Sequence, residues 1–174
     1  GHTITILTHT PAEATQKITG LTYLEGNPTM KGKWQDAVKD HDVIINLAGA
    51  SIFSRWTPEQ KEILRSSRIE TTRNLVSALP ADASRITLFS TSAVGYYGFH
   101  QDEELTENAA AGNDFLARLA YAWEQEALRA KEKGARVVIT RFGIVLGKNG
   151  GALGQMIPLF RFFLGGPLGS GRQW

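Results

Sequence analysis

Apolar and polar positions fall in blocks along the chain. Runs rich in β-branched and aliphatic side chains occur at residues 3–8, 42–47, 86–90 and 136–142, with a weaker run at 21–24. Runs of this length, bounded by small and polar residues, predict strands. Between the later runs, apolar residues recur at helical spacing. Ile63, Leu64, Leu75, Val76 and Leu79 mark one helix; Phe115, Leu116, Leu119, Ala120, Trp123 and Ala127 mark a second. The first has a clear start, with Thr57 as N-cap, Pro58 in the first helical position and Gln60 completing a capping box, and Pro80 ends it. The second starts at Asn113 or Asp114 and is stopped by Gly134, just before Arg136-Val137-Val138-Ile139.

Strands alternating with helices predict βαβ units and a parallel sheet. The run Val43-Ile44-Ile45-Asn46-Leu47 does not alternate, as expected of a strand buried on both faces. Right-handed crossovers set strands 42–47, 86–90 and 136–142 side by side, with helices over the faces and all carboxyl ends at one edge. Open α/β sheets take ligands outside that edge. The loops there are Ala48-Gly49-Ala50-Ser51, Thr91-Ser92-Ala93-Val94-Gly95 and Gly143-Ile144-Val145-Leu146-Gly147. Small residues let a flat ligand approach the backbone. Tight turns without a ligand would look similar one at a time; three at one edge favour a site.

Composition narrows the function. The chain has 174 residues, 42% hydrophobic and 21% charged, which suits one domain or a large part of one. Its net charge of +2 gives no electrostatic case for a nucleic-acid partner. It has no cysteine, which excludes disulfides, thiolate metal sites and a cysteine nucleophile. His2, His9, His41 and His100 are scattered, and Asp102-Glu103-Glu104 with Glu107 reads as a solvated loop, so no metal is expected. No run reaches the roughly 18 apolar residues of a membrane span. The N-terminus lacks a basic stretch followed by an apolar one. A soluble, cytoplasmic protein with no membrane partner is expected.

Several motifs add a resemblance. Asn46-Leu47-Ala48-Gly49 resembles the Asn-x-Ala-Gly turn of short-chain dehydrogenase/reductases. It is followed in order by Arg55-Trp56-Thr57, Ser67-Arg68-Ile69-Glu70-Thr71-Thr72, Ser92-Ala93-Val94-Gly95-Tyr96-Tyr97-Gly98 and Trp123-Glu124. Arg141-Phe142-Gly143-Ile144-Val145-Leu146-Gly147 and Gly165-Gly166-Pro167-Leu168-Gly169-Ser170-Gly171-Arg172-Gln173-Trp174 complete the series. Together they are similar to the atypical extended branch of that class, the NAD-dependent epimerase/dehydratase-like "epimerase family" proteins. The resemblance implies a Rossmann-like, doubly wound parallel sheet. It also implies that residues 1–174 are one NAD(P)-binding domain, truncated at both ends. The first strand and its glycine-rich loop would be missing before Gly1, and a smaller substrate domain would follow Trp174. The missing strand is central in the order 3-2-1-4-5-6, so two sheet edges are expected to be left unpaired.

The resemblance also assigns residues. Active relatives use a Tyr-x-x-x-Lys pair in which lysine lets the phenol exchange a proton. Aligned on Trp123-Glu124, those positions hold Leu116 and Ala120, which transfer no proton. Tyr121 is one residue late, about 100° around the helix, and its plus-four residue is Gln125. Ser92 takes the place of the catalytic Ser or Thr, or it is a turn-forming serine. Tyr96 and Tyr97 either offer a phenol to the substrate or pack beneath their loop. Thr8 and His9 end the second family strand without the acid that binds a ribose 2′-hydroxyl, so NADP(H) is expected in preference to NAD(H). His9 replaces a common Arg and is a weaker donor. Leu47, Ala48 and Gly49 are expected under adenine and ribose, and Val145 beside the nicotinamide. Arg68 reaches the adenosine phosphates or lies solvated on its helix; Arg141 pairs with a carboxylate such as Glu124. The apolar stretch 156–164 is a partner surface or packs on the C-terminal domain. The implied function is hydride transfer to or from a small polar or nucleoside-sugar substrate, by an oxidoreductase or epimerase. The alternative is a non-catalytic NADPH-binding sensor or scaffold. Expected partners are the dinucleotide, a small-molecule substrate and, as an oligomer, a second copy in a homodimer.

Overall fold

The computed structural model describes residues 1–9, 19–147, 151–167 and 171. Among the described residues, five strands form two parallel sheets. β1 (Thr5–Thr8) pairs with β2 (Thr22–Glu25), and Thr5 lies opposite Thr22. β3 (Val43–Asn46), β4 (Thr87–Ala93) and β5 (Arg136–Phe142) form the second sheet in that order. Val43 lies opposite Thr87, and Thr87 opposite Arg136. Within the second sheet the helical crossovers are α1 (Pro58–Ala78), between β3 and β4, and α2 (Phe115–Leu128), between β4 and β5. The break between the sheets falls where the family order would seat its first strand. Across it, the His41 ring joins the Ala37 carbonyl (2.8 Å) to Thr5 Oγ1 (2.9 Å). Leu7 and Leu24 pack on the same core as Ile44, around Trp34, Val38, Leu75 and Leu88.

The helix starts follow their sequence signals in part. Thr57 Oγ1 accepts from Gln60 N, with Pro58 next to it, but among the described residues the Gln60 side chain does not complete the expected capping box. Asp114 Oδ1 accepts from Leu116 N and Ala117 N. After α2, one 3₁₀ stretch (Arg129–Lys133) closes on Gly134 at φ 84°. Lys133 Nζ donates to the carbonyls of Val76, Ser77 and Leu79, which satisfies the open end of α1.

Three expectations change. Ile63 is half exposed, and the inward side of α1 carries Thr71, Thr72 and Asn74 beside its aliphatic residues. The non-alternating β3 is covered on one face only. Both helices lie against the side of Leu88, Ser90 and Ser92, which are buried, whereas Ile45 is 64% and Leu47 70% exposed. No described element covers that second face, where Ile45, Leu47, Phe89, Thr91, Thr140 and Phe142 line a shallow apolar cleft. A 3₁₀ helix (Lys33–Asp40) and α3 (Gly151–Arg161) were not foreseen. Leu168, Gly169, Ser170, Arg172, Gln173 and Trp174 of the last motif lie outside the described residues.

Candidate functional site

Asn46, Ala93 and Phe142 end the three parallel strands, so the three small-residue loops do gather at one edge. Two clusters of side chains shape it.

The first holds the loop after β3. Buried Asn46 accepts from Ala48 N through Oδ1 (3.2 Å) and donates through Nδ2 to Thr72 Oγ1 (2.9 Å). Thr72 Oγ1 also accepts from Trp123 Nε1 (2.8 Å). Ala50 N donates to Ser67 Oγ (3.0 Å). Arg68 turns inward: it donates to the carbonyls of Ala50 and Leu64, both at 3.1 Å, and lies over the Trp123 ring at 5.3 Å. Burial pulls its guanidinium pKa below the ordinary value. A Cβ on Gly49 would sit 3.1 Å from Arg68 Cζ. Arg68 is not a solvated helix-face arginine; it braces the loop, next to Gly49. Above it, Leu47 and Gly49 are exposed and Ala48 is half-buried.

Thr8 and His9 stand at the carboxyl end of β1, on the other sheet. Thr8 is half-buried and opposite Glu25 in register, and His9 is exposed. Val145 is 68% exposed in the loop after β5.

The second cluster is built on a buried carboxylate. Ser92 is 2% exposed and its hydroxyl donates to Glu124 Oε1 at 2.6 Å. Arg141 holds Glu124 with two bonds of 2.8 Å, from Nε to Oε1 and from Nη2 to Oε2. Its Nη1 donates to Tyr97 Oη (2.8 Å) and to the Glu107 carbonyl (3.0 Å). The guanidinium also lies 3.6 Å from the Tyr96 ring centre. The Glu124 carboxylate raises the Arg141 pKa far above its ordinary value, against the opposing effect of burial, and Tyr97 adds to the rise.

Backbone contacts fix the tyrosine loop. Tyr96 and Tyr97 lie in a 3₁₀ turn (Val94–Tyr97) directly after β4. Gly112 N donates to the Tyr96 carbonyl (2.9 Å), and a Cβ at Gly112 would fall 2.6 Å from the Tyr97 carbonyl oxygen. His100 Nε2 donates to that carbonyl (2.9 Å), and Nδ1 meets Glu103 Oε1 (2.6 Å). Glu103 first, then the Tyr97 carbonyl, raise the His100 pKa.

The pairing of Arg141 with Glu124 is the one expected from the sequence. The parts played by Tyr97, Glu107, Gly112 and His100 were not legible in it. Ala120 is buried, Leu116 is half-buried near Gly95, and Tyr121 is 47% exposed. Among the described residues, no three His, Asp or Glu are grouped to hold a metal.

The profile of the NAD dependent epimerase/dehydratase family matches residues 1–166. The chain belongs to this family. It is 41% identical to the Arabidopsis thaliana protein named "epimerase family protein SDR39U1 homolog, chloroplastic", covering 99% of this chain and 50% of that one. It is 40% identical to epimerase family protein YfhF of Bacillus subtilis, covering 100% and 57%. The crystal structure of human epimerase family protein SDR39U1 (isoform 2) with NADPH superposes with a TM-score of 0.76 at 30% identity, over 99% of this chain and 56% of that one. A nucleoside-diphosphate sugar epimerase from Corynebacterium glutamicum gives 0.69 at 33%, over 91% and 32%. The chain spans about half the length of the curated relatives it matches. Among the described residues, no helix is long and apolar enough to cross a membrane.

Proposed function

We propose that this family member binds NADP(H) across the carboxyl edge of its strands and transfers hydride to or from a small polar or sugar-bearing carbonyl or alcohol. The observation that carries the cofactor reading is the end of β1. Thr8 and His9 supply a hydroxyl and an imidazole where a carboxylate would repel a 2′-phosphate. Glu25 lies opposite Thr8 on the neighbouring strand and is a charge against it. The edge suits a flat dinucleotide. Leu47 and Gly49 are exposed and Ala48 is half-buried, and Arg68 holds the loop through the Ala50 carbonyl. Val145 is exposed at the end expected for the nicotinamide.

When bound, the nicotinamide supplies or accepts the hydride. The chain's own residues hold the ring, orient the substrate and handle the proton. The human relative was crystallised with NADPH, which supports the same ligand class here. Several solved structures of similar fold hold NAD, so the choice between the two rests on Thr8 and His9. A non-catalytic NADPH sensor is the second reading, favoured by Leu116 and Ala120 at the positions of the usual catalytic pair.

Titration with NADPH and NADH tests the proposal, read by energy transfer from Trp34, Trp56 and Trp123. We expect saturable NADPH binding, tenfold tighter than NADH, which corresponds to about 1.4 kcal/mol. Equal affinities would remove the role given to Thr8 and His9. Binding of neither would remove the cofactor.

A further inference from the structure

We propose that Tyr97 is the proton donor of this site, and that Arg141, clamped by Glu124, is the fixed cation that takes over the work of the absent lysine; this rests on the edge being an NADP(H) site.

A carbonyl gaining negative charge needs a positioned proton and, beside the group that gave it, a positive charge. Leu116 and Ala120 offer neither. Ser92 is buried, and its proton is committed to Glu124. Tyr121 is exposed, and Tyr96 presents its ring face, not its hydroxyl, to Arg141.

Tyr97 differs from all of these. Its oxygen accepts from Arg141 Nη1 at 2.8 Å, and among the described residues its own O–H has no acceptor. The residue is half-buried in the turn directly after β4, which sets it beside the ligand edge. Donating the proton breaks the phenol O–H bond and forms one O–H bond on the substrate oxygen. The negative charge left on the phenol oxygen then faces a guanidinium already in hydrogen-bond contact. In the alcohol-to-carbonyl direction the same atoms run in reverse.

The cation cannot drift away. Two bonds to Glu124, one to the Glu107 carbonyl and the Tyr96 ring hold Arg141 from separate sides. Gly112 and His100 fix the Tyr97 backbone in turn. Ser92 completes the clamp on Glu124 and acts as a positioning residue.

The test uses the intact protein, NADPH, and two carbonyl probes, glyceraldehyde and phenanthrenequinone. Wild type is compared with Tyr97→Phe, Arg141→Lys, Arg141→Gln and, as control, Tyr121→Phe. We expect Tyr97→Phe to leave the NADPH Kd and the probe KM within about twofold and to lower kcat about 100-fold or more. Arg141→Gln should lower kcat similarly and Arg141→Lys restore part of it; Tyr121→Phe should change nothing. Without any turnover, the wild-type minus Tyr97→Phe Raman difference should carry the tyrosine ring doublet of a strong hydrogen-bond acceptor.

Full kcat in Tyr97→Phe overturns the proposal, as does a doublet without acceptor character. A wild type that binds NADPH but reduces neither probe also overturns it and leaves the cofactor reading intact. Failure to bind NADPH overturns that reading itself.

Discussion

Gly49 and Arg68 show how closely single residues are set in this edge. The guanidinium is held by two carbonyls and an indole, so a methyl group 3.1 Å from its central carbon has no easy way to be accommodated. We expect Gly49→Ala to cost about 1–3 kcal/mol in urea unfolding and to weaken NADPH binding. A loss in neither would mean that Arg68 yields and is no brace. The Arg141–Glu124 pair is a stronger case, since both side chains are largely buried. Arg141→Met would strand Glu124 and should cost about 3–5 kcal/mol, whereas loss of the exposed Arg85–Asp42 pair should cost under about 1 kcal/mol. His100 is an exposed device with a definite sign. Its folded pKa is raised, so its hold on Glu103 and on the Tyr97 carbonyl is complete below the ordinary histidine range and fades as pH rises through the raised value. An imidazole NMR titration should find a midpoint above that of a histidine peptide, and Glu103→Gln should return it toward the ordinary value.

At the scale of elements, capping decides more than propensity. Lys133 gives its three protons to the last carbonyls of α1, from a turn that follows α2. Lys133→Met should lower stability by about 1–2 kcal/mol, and amide exchange should quicken first in residues 74–79. Much of this level was legible in the sequence. The sequence pattern delimits β5 residue for residue, and the caps Thr57 and Asp114 stand where their chemistry places them, whereas α2 gives way at Leu128 to the 3₁₀ stretch that Gly134 closes. What was not legible has physical causes. The Lys33–Asp40 turn buries only Trp34 and Val38, too few for a periodic signal. α3 carries Pro158 and two glycines, which mask a helical pattern. The polar inward residues of α1 are partnered from elsewhere, Thr72 by Asn46 and Trp123 and Asn74 by the Pro28 carbonyl, and those partners are distant in sequence. The inward turn of Arg68 depends on the same kind of long-range contact.

At the scale of the molecule, one sheet face carries the core and the other is open. Leu88 is fully buried against the helices, while Ile45 is largely exposed. We therefore expect Leu88→Ala to cost about 2–5 kcal/mol and Ile45→Ala to stay within about 0.5 kcal/mol; a large cost at Ile45 would mean that its face is covered in the intact protein. The parallel order and the edge that gathers the three loops were legible from the alternation of strands and helices. Whether β3 was covered on both faces was not, because a continuous apolar run looks the same in either case. We propose the carboxyl edge as the place where the dinucleotide lies. Hydrogen exchange of the intact protein with and without saturating NADPH tests it most directly. We expect slowed exchange in residues 47–50 and 92–98 and at the end of β1, with little change in α3 or the Lys33–Asp40 turn. Protection confined to the opposite ends of the strands, with NADPH demonstrably bound, would contradict it.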